Sequence, residues 1–189
     1  MKSPRTILFD FYGVLCRGKF YNEKLREKFP HIFDWIQENI FGGTWQLADE
    51  WMRGKLKARD INKHIAEGTG IEEKLLNELF FEDLKKLPLE ERMLAYAKEL
   101  KQQGKKICIV SDNMDVFSEI TVPQHQLNKA FDVVINSADY GLLKQDEKGK
   151  LFDIALEAIG EKDISLTLLI DDSPKSVEVY KEKGGNIYL

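Results

Sequence analysis

Residues 6–15 read TILFDFYGVL: a short run suited to a β-strand, an aspartate, and then a turn that contains Gly13. The run Thr6-Ile7-Leu8-Phe9 carries no charge and does not alternate between apolar and charged residues. Such a run is typical of a strand buried on both faces of a parallel sheet. In an open parallel sheet, ligands bind beyond the carboxyl ends of the strands. The stretch therefore predicts a buried strand that places Asp10 at a ligand-binding edge.

Similar short apolar runs recur further along the chain. They span residues 107–110, 133–135, 166–170 and 186–189. From residue 89 onward, these runs alternate with segments whose apolar residues repeat at helical spacing. The predicted helices are 89–103, 147–159 and a last one with Ser173 as N-cap, Pro174 at its first position and a stop at Gly184. This alternation predicts an α/β doubly wound sheet flanked by helices.

The segment between the first and second strands differs from the rest. Residues 16–88 contain no convincing strand, and their apolar residues recur at helical spacing between glycines. We predict an all-helical insert at 16–88 within a core formed by residues 1–15 and 89–189. The insert's three tryptophans lie among apolar residues, so we interpret them as its core rather than as ligand contacts. They are Trp35, Trp45 and Trp51.

Composition and charge exclude several classes of protein. Of 189 residues, 43% are hydrophobic, which is enough for a folded core and excludes a disordered chain. The chain has 28 basic and 32 acidic residues, a net charge of −4, without the basic excess typical of a nucleic-acid binder. Residues 16–88 carry 13 of each sign, so the acidic excess belongs to the core.

Apolar stretches, the N-terminal residues and the cysteines indicate where in the cell the protein is expected. No apolar stretch approaches the length of a membrane span, and the N-terminal residues lack the apolar region of a signal peptide. The two cysteines, Cys16 and Cys108, are far apart and lie in or beside apolar runs, which favours reduced thiols. We therefore expect a cytoplasmic protein that binds neither membrane nor nucleic acid and is a monomer or homodimer.

Polar residues follow the predicted strands where a ligand would bind. Asp10 follows the first strand, Ser111 the second, and the pair Asp171-Asp172 the fourth. Three carboxylates at one edge are unfavourable unless a cation compensates them, and Mg²⁺ suits a few carboxylates plus water. We therefore predict a magnesium site here. Lys144, in the loop after the third strand, and the hydroxyl of Ser111 would face the same opening as ligands for an anionic group.

In their order along the chain, these segments resemble the four motifs of the haloacid dehalogenase-like hydrolase superfamily. The insert at 16–88 is similar to the cap that the superfamily places after its first motif. The resemblance implies a Rossmann-like core and a nucleophilic aspartate. In most members it also implies Mg²⁺-dependent phosphoryl transfer, here from a small phosphorylated metabolite.

The resemblance also implies a role for each residue of the reacting site. Asp10 would attack phosphorus and form an aspartyl-phosphate. Ser111 would hydrogen-bond the transferring group, and Lys144 would neutralise the charge on the nucleophile and the phosphate. We interpret the neighbouring Asp112 as a structural residue that caps the following helix.

The same family pattern implies the ligands of the metal. Asp172 would bind Mg²⁺ directly and Asp171 through water. Asp10 and the backbone carbonyl of Tyr12 would complete the protein ligands. Bound there, the metal would permit an anionic nucleophile to approach an anionic substrate.

Tyr12 departs from the phosphatase pattern. Phosphatases of the superfamily usually carry an aspartate two residues after the nucleophile, which acts as general acid and base. Tyrosine, with an ordinary pKa near 10, is a poor base at neutral pH. It resembles instead the metal-independent 2-haloacid dehalogenases, whose leaving halide needs no proton. We favour the phosphatase because of the acidic pair. The alternatives are a dehalogenase and a catalytically silent binding module. We predict that Tyr12, with Ser111 and Lys144, is a substrate-binding residue, where it would contact the leaving group, shape the wall of the site or simply pack.

Overall fold

The computed structural model describes residues 3–18, 21 and 23–188, and within them it contains a five-stranded parallel sheet. The strands are β1 (Thr6–Phe9), β2 (Lys106–Ser111), β3 (Val133–Asn136), β4 (Thr167–Ile170) and β5 (Asn186–Ile187). Their order across the sheet is β3-β2-β1-β4-β5. This confirms the predicted α/β, Rossmann-like fold. The last strand is shorter than predicted, and Leu189, which the prediction included, lies outside the described residues.

The central position of β1 aligns the ends of its neighbours. Phe9 is paired with Ile109 of β2 and with Ile170 of β4. The next residue, Asp10, is therefore level with Asp171, and its backbone N–H donates to the carbonyl of Ile170 at 2.9 Å. Ser111 is the last residue of β2. The register thus brings the predicted site residues of three strands to one edge of the sheet.

The described part of 16–88 folds into five helices. They are α1 (Glu23–Lys28), α2 (Pro30–Asn39), α3 (Gln46–Met52), α4 (Ala58–Thr69) and α5 (Glu73–Lys85). Cys16 pairs by isolated bridges with Tyr12 and with Leu89. The backbone N–H of Glu90 donates to the carbonyl of Leu15 at 2.8 Å. The two ends of the insert therefore lie side by side.

Six α-helices of the described residues lie outside the insert. They are α6 (Glu91–Gln102), α7 (Val122–Gln124), α8 (Leu127–Ala130), α9 (Ser137–Tyr140), α10 (Lys150–Ala158) and α11 (Pro174–Glu182). Of these, α6, α10 and α11 match the three predicted helices with small changes at their ends, whereas the short helices α7, α8 and α9 were not predicted. α10 begins later than predicted because Glu147, with φ of 47°, breaks helical geometry in a short turn before it. Ser173 caps α11 as predicted, by accepting a hydrogen bond from the N–H of Ser176. No helix of the described residues is both long and apolar enough to cross a membrane.

Two apolar clusters cover the two faces of the sheet. Alternate residues of β1 point to opposite faces, so Phe9 joins one cluster and Leu8, with Cys108, joins the other. The first cluster continues without a break into the insert, where it includes Trp51 and Phe80. Much of the insert's apolar surface is therefore buried together with one face of the sheet. Both cysteines are free and buried.

The three tryptophans of the insert do not share one environment. Trp51 is fully buried and Trp35 is half-buried, whereas Trp45 is 53% exposed. The interpretation of Trp45 as insert core is therefore wrong. The physical reason is that residue 45 lies before α3 with φ of 61°, in the left-handed region, so its side chain does not follow the helical periodicity.

Candidate active site

Asp10 lies at the carboxyl end of β1 and is almost fully buried, with 7% of its surface exposed. Its Oδ1 accepts a hydrogen bond of 2.7 Å from the N–H of Phe11, and its Oδ2 lies 2.9 Å from Nζ of Lys144. The net pKa of Asp10 is raised to about 6, because burial, with a smaller contribution from Asp171, outweighs the lowering by Lys144. The buried carboxylate thus depends on a nearby positive charge to stay ionised.

Lys144 supplies that charge from the loop after α9. Its side chain is buried, and Nζ lies 2.9 Å from Asp10 and 2.7 Å from Oδ2 of Asp171. Burial lowers the pKa of Lys144, but the surrounding carboxylates, Asp10 first, outweigh burial and the net pKa is raised. The backbone N–H of Lys144 donates to Oδ1 of Asp112 at 2.8 Å. That bond fixes the loop that carries the lysine.

The two acidic residues after β4 differ in their surroundings. Asp171 is buried, and its oxygens accept from Lys144 and, at 2.8 Å, from the N–H of Ser173. Asp172 is exposed, and its carboxylate makes no hydrogen bond or ion pair with the described residues. Gly13 packs against it: a Cβ added at residue 13 would lie 2.0 Å from Oδ2 of Asp172. Gly13 also has φ of 82°, so this position needs glycine for two reasons.

The carboxylates of Asp10, Asp171 and Asp172 form a group that fits a divalent cation. One oxygen from each lies within 4.8 Å of the other two. Each bond of an octahedral Mg²⁺ is about 2.1 Å long, so opposite ligand oxygens are about 4.2 Å apart. The carboxylate oxygens therefore need only a small shift towards one another to bind the ion. Three carboxylates against the one lysine also leave an excess of negative charge. The residues present therefore fit Mg²⁺.

Ser111 contributes a buried hydroxyl at the same edge. The residue is 1% exposed, and its Oγ has no hydrogen-bond partner among the described residues. Buried polar atoms are nearly always satisfied by protein, water or ligand. An unsatisfied hydroxyl at the end of β2 is therefore available to a group bound at this edge.

Tyr12 lies two residues after Asp10 and brings no carboxylate to the site. Its ring packs edge-on against Phe11, with centroids 5.1 Å apart. Burial, with a smaller effect from Cys16, raises the pKa of Tyr12 well above its ordinary value. The hydroxyl therefore stays protonated at neutral pH and does not act as a base.

Two features of the site escaped prediction from the sequence. Asp112 does not cap the following helix but holds the backbone of Lys144. Burial raises the pKa of Asp112, against the effect of Lys144. The second feature is a cavity of about 290 Å³ beside the site. Its lining residues from the insert include Phe41 and Trp45, next to the glycine pair 42–43. That glycine pair was the sequence feature that could have indicated a loop here, but it does not predict the direction of the aromatic side chains.

Comparison of the sequence with models of protein families identifies the family of this chain. The model of the haloacid dehalogenase-like hydrolases matches residues 4–181. The chain belongs to the haloacid dehalogenase-like hydrolase family. The resemblance carried by the four motifs is thereby confirmed. The roles of the individual site residues in this haloacid dehalogenase-like hydrolase remain predictions.

Solved structures share the fold of this haloacid dehalogenase-like hydrolase. A HAD family enzyme of Bacteroides thetaiotaomicron, in complex with magnesium and inorganic phosphate, is 21% identical with a TM-score of 0.73, over 98% of this chain and 93% of that one. A HAD-like hydrolase of Porphyromonas gingivalis is 20% identical with a TM-score of 0.72, over 98% and 90%. The L-2-haloacid dehalogenase of Xanthobacter autotrophicus, with chloropropionic acid covalently bound, is 16% identical with a TM-score of 0.70, over 97% and 76%. No curated protein sequence matches the chain.

Proposed function

We propose that this haloacid dehalogenase-like hydrolase is a Mg²⁺-dependent phosphatase of a small phosphorylated metabolite. The observation that carries the proposal is the group formed by Asp10, Asp171 and Asp172, one oxygen of each lying within 4.8 Å of the other two, beside the buried Lys144. In this proposal residues 16–88 form a helical cap over a core made of 1–15 and 89–189.

Asp10 is the nucleophile in this proposal. One of its carboxylate oxygens attacks phosphorus, the bond from phosphorus to the alcohol oxygen breaks, and an aspartyl-phosphate forms. Water then cleaves the aspartyl-phosphate and regenerates the carboxylate. The pKa of Asp10, which burial raises, is held down by Lys144, so the lysine keeps the nucleophile ionised.

Lys144 and Ser111 bind and stabilise the transferring group. Nζ of Lys144, 2.9 Å from Asp10, lies where negative charge gathers when nucleophile and phosphate meet. The unsatisfied hydroxyl of Ser111 donates to a phosphoryl oxygen. Mg²⁺ held by Asp10, Asp171, Asp172 and the carbonyl of Tyr12 would supply the positive charge that lets two anions meet.

The leaving alcohol receives no proton from residue 12. A positioned general acid or base typically contributes about 10²–10⁴-fold in rate. The pKa of Tyr12, raised by burial, makes the phenol a poorer acid as well as an unavailable base. We therefore expect slow turnover of esters whose alcohol must be protonated to leave.

The structural neighbours give this proposal further support. The Bacteroides thetaiotaomicron enzyme, which shares the fold, was crystallised with magnesium and inorganic phosphate. That is the pair of ligands that the acidic group, the lysine and the free serine hydroxyl would bind here.

Phosphate release from p-nitrophenyl phosphate tests the proposal. We expect release with Mg²⁺ and none in EDTA. Asp10→Asn and Asp172→Ala abolish the release, while Asp34→Asn, an exposed aspartate on α2, serves as the control. Unchanged activity in Asp10→Asn would overturn the proposed mechanism.

A second candidate is metal-independent dehalogenation of a 2-haloacid. Tyr12 favours it, as does the fold shared with the L-2-haloacid dehalogenase of Xanthobacter autotrophicus. Asp10 would then attack carbon and displace halide, which leaves without a proton. Halide release from short haloacids in EDTA, lost in Asp10→Asn, identifies this activity. A catalytically silent binding module would bind Mg²⁺ and phosphate but release neither phosphate nor halide.

A further inference from the structure

The cavity beside the site is lined mainly by apolar and aromatic side chains. Its volume is about 290 Å³, near the lower end of the range for ligand pockets. The insert contributes Gln37, Phe41, Trp45 and Met52. The core contributes Tyr12, Asp112 and Met114. The cavity therefore lies between the insert and the loops after β1 and β2.

Two residues that line this cavity are close neighbours of the reacting site along the chain. Tyr12 follows the nucleophile Asp10 by two residues, and Asp112 directly follows Ser111. Asp112 also accepts the hydrogen bond from the backbone of Lys144. A substrate whose phosphate is bound beside Asp10 and Lys144 would therefore have this cavity next to its organic group.

Trp45 gives an independent reason to regard the cavity as a binding site. The residue has φ of 61°, a region that is unfavourable for a bulky side chain. The residue is 53% exposed, so burial does not compensate the unfavourable backbone. Residues with unfavourable backbone angles are concentrated at ligand-binding positions. A ligand that covers Trp45 would supply the missing burial.

The charge and polarity of the residues that line the cavity restrict which chemical groups it can bind. None of the described residues that line the cavity is Lys or Arg, and Asp112 is the acidic member. A second anionic group on the substrate would therefore find no cationic partner among the described lining residues. Of these residues, only Gln37 and Asp112 have strongly polar side chains, which is too few to satisfy the hydroxyls of a sugar.

We propose that the cavity binds an uncharged aromatic group, so that the substrate is the phosphate monoester of a phenol. This inference rests on the proposed phosphatase function. Asp10 attacks phosphorus, the bond between phosphorus and the aryl oxygen breaks, and the phenolate leaves with the electron pair and takes a proton from water. A phenol, with a pKa near 10, leaves unprotonated far more readily than an alkyl alcohol. Tyr12 in place of an acid is therefore consistent with this substrate class.

A binding experiment tests the cavity without requiring turnover. Benzylphosphonate and methylphosphonate share the phosphonate group and differ in the ring, and calorimetry with Mg²⁺ gives the affinity of each. We expect benzylphosphonate to bind at least about tenfold more tightly, since an apolar pocket discriminates on that scale. Trp45→Gly and Phe41→Ala should reduce the ratio of the two affinities to near one. Tyr96→Ala, which removes an aromatic ring 38% exposed on α6, should leave the ratio unchanged.

Kinetics separates this proposal from the proposed function. We expect kcat/KM for phenyl phosphate to exceed that for glycerol phosphate, with a lower KM for phenethyl phosphate than for glycerol phosphate. Preferential binding of benzylphosphonate with no hydrolysis of any ester would support the aromatic site and overturn the phosphatase. Hydrolysis of the esters with equal binding of the two phosphonates would overturn the aromatic site and leave the phosphatase standing.

Discussion

The indole Nε1 of Trp51 donates a hydrogen bond of 2.7 Å to Oδ1 of Asp115. Both side chains are buried, and they connect α3 of the insert with the start of the helical stretch that follows β2. The same carboxylate accepts from the backbone N–H of Ala58, at the start of α4, at 3.3 Å to each oxygen. The segment that follows Ser111 is thus attached to two helices of the insert at one buried point.

Trp51→Phe tests this attachment. The change removes the donor but keeps an aromatic ring, and it leaves the buried carboxylate of Asp115 with one partner fewer. We expect the free energy of unfolding to fall by about 1–3 kcal/mol. Urea denaturation measures it. Trp35→Phe is the matched control, because the half-buried Trp35 indole makes no hydrogen bond to the described residues. Equal losses in the two variants would show that the hydrogen bond contributes nothing.

Gly13→Ala should inactivate the enzyme. The new Cβ would displace the carboxylate of Asp172, and a misplacement of about 1 Å can lower a rate about 10²-fold. Gly70→Ala is the control, since Gly70 has a similar φ of 75° but nothing within 4 Å of the added Cβ. Both variants should lose similar stability, while only Gly13→Ala loses Mg²⁺-dependent phosphate release. An active Gly13→Ala enzyme would argue against Asp172 as a metal ligand.

Asp10→Asn should stabilise the metal-free protein at high pH. Burial raises the pKa of Asp10 to about 6, above its unfolded value of 3.8, so protonation of this group favours the folded state. That stability is fully present below the unfolded pKa and is lost as pH rises through about 6. The variant should therefore gain up to about 3 kcal/mol at about pH 8 and about half as much at about pH 5.

Thermal unfolding in EDTA at the two pH values measures this gain. Mg²⁺ should then raise the melting temperature of the wild type more than that of Asp10→Asn. A gain of equal size at both pH values would show that Asp10 does not titrate in this interval. Asp34→Asn, at an exposed position, provides the baseline.

Tyr12→Asp should restore proton transfer to the leaving group. We expect a gain approaching about 10²-fold for alkyl phosphates and a smaller gain for aryl phosphates, because phenols leave without a proton. Steady-state kinetics on phenethyl phosphate and phenyl phosphate gives both values. Tyr12→Phe is the control and should leave the ratio of the two rates unchanged. Equal gains on both esters would contradict the assigned role of this position.

Trp45→Gly should be more stable than Trp45→Ala, and both variants should lose the proposed aromatic site. Glycine occupies the left-handed region without the steric penalty of a side chain, so we expect a gain of about 1 kcal/mol in the free energy of unfolding relative to Trp45→Ala. The alanine variant loses the same indole but keeps the unfavourable backbone. Urea denaturation of the two variants isolates the backbone contribution. No difference between them would show that residue 45 is unstrained.

The sheet could be predicted because its evidence is local. Each strand is a short apolar run, and the alternation with helical segments leaves few topologies. When parallel strands are neighbours in a sheet, their carboxyl ends lie at the same edge, so the residues at those ends come close together. Asp10, Ser111 and Asp171 come together for this reason, since each lies at the carboxyl end of its strand.

The remaining features depend on contacts that no local pattern contains. The bond between Asp112 and the backbone of Lys144 joins residues 32 positions apart in two loops. The exposure of Trp45 follows from one backbone angle at the start of α3. Helical periodicity does not include that angle, so it placed the tryptophan in the core. The cavity is likewise formed by the packing of the insert on two loops, which depends on the whole fold.

The adjacent ends of the insert, joined by the hydrogen bond from Glu90 to Leu15, have an evolutionary consequence. An insert whose first and last residues lie side by side can be exchanged between relatives without altering the order of the sheet strands. The shared apolar cluster opposes such an exchange, because Phe9 of the sheet and Trp51 of the insert lie in one continuous interior. A transplanted module would have to bring a matching face with it. The short distance between the two ends would therefore ease an exchange of the insert, whereas the shared interior would oppose it.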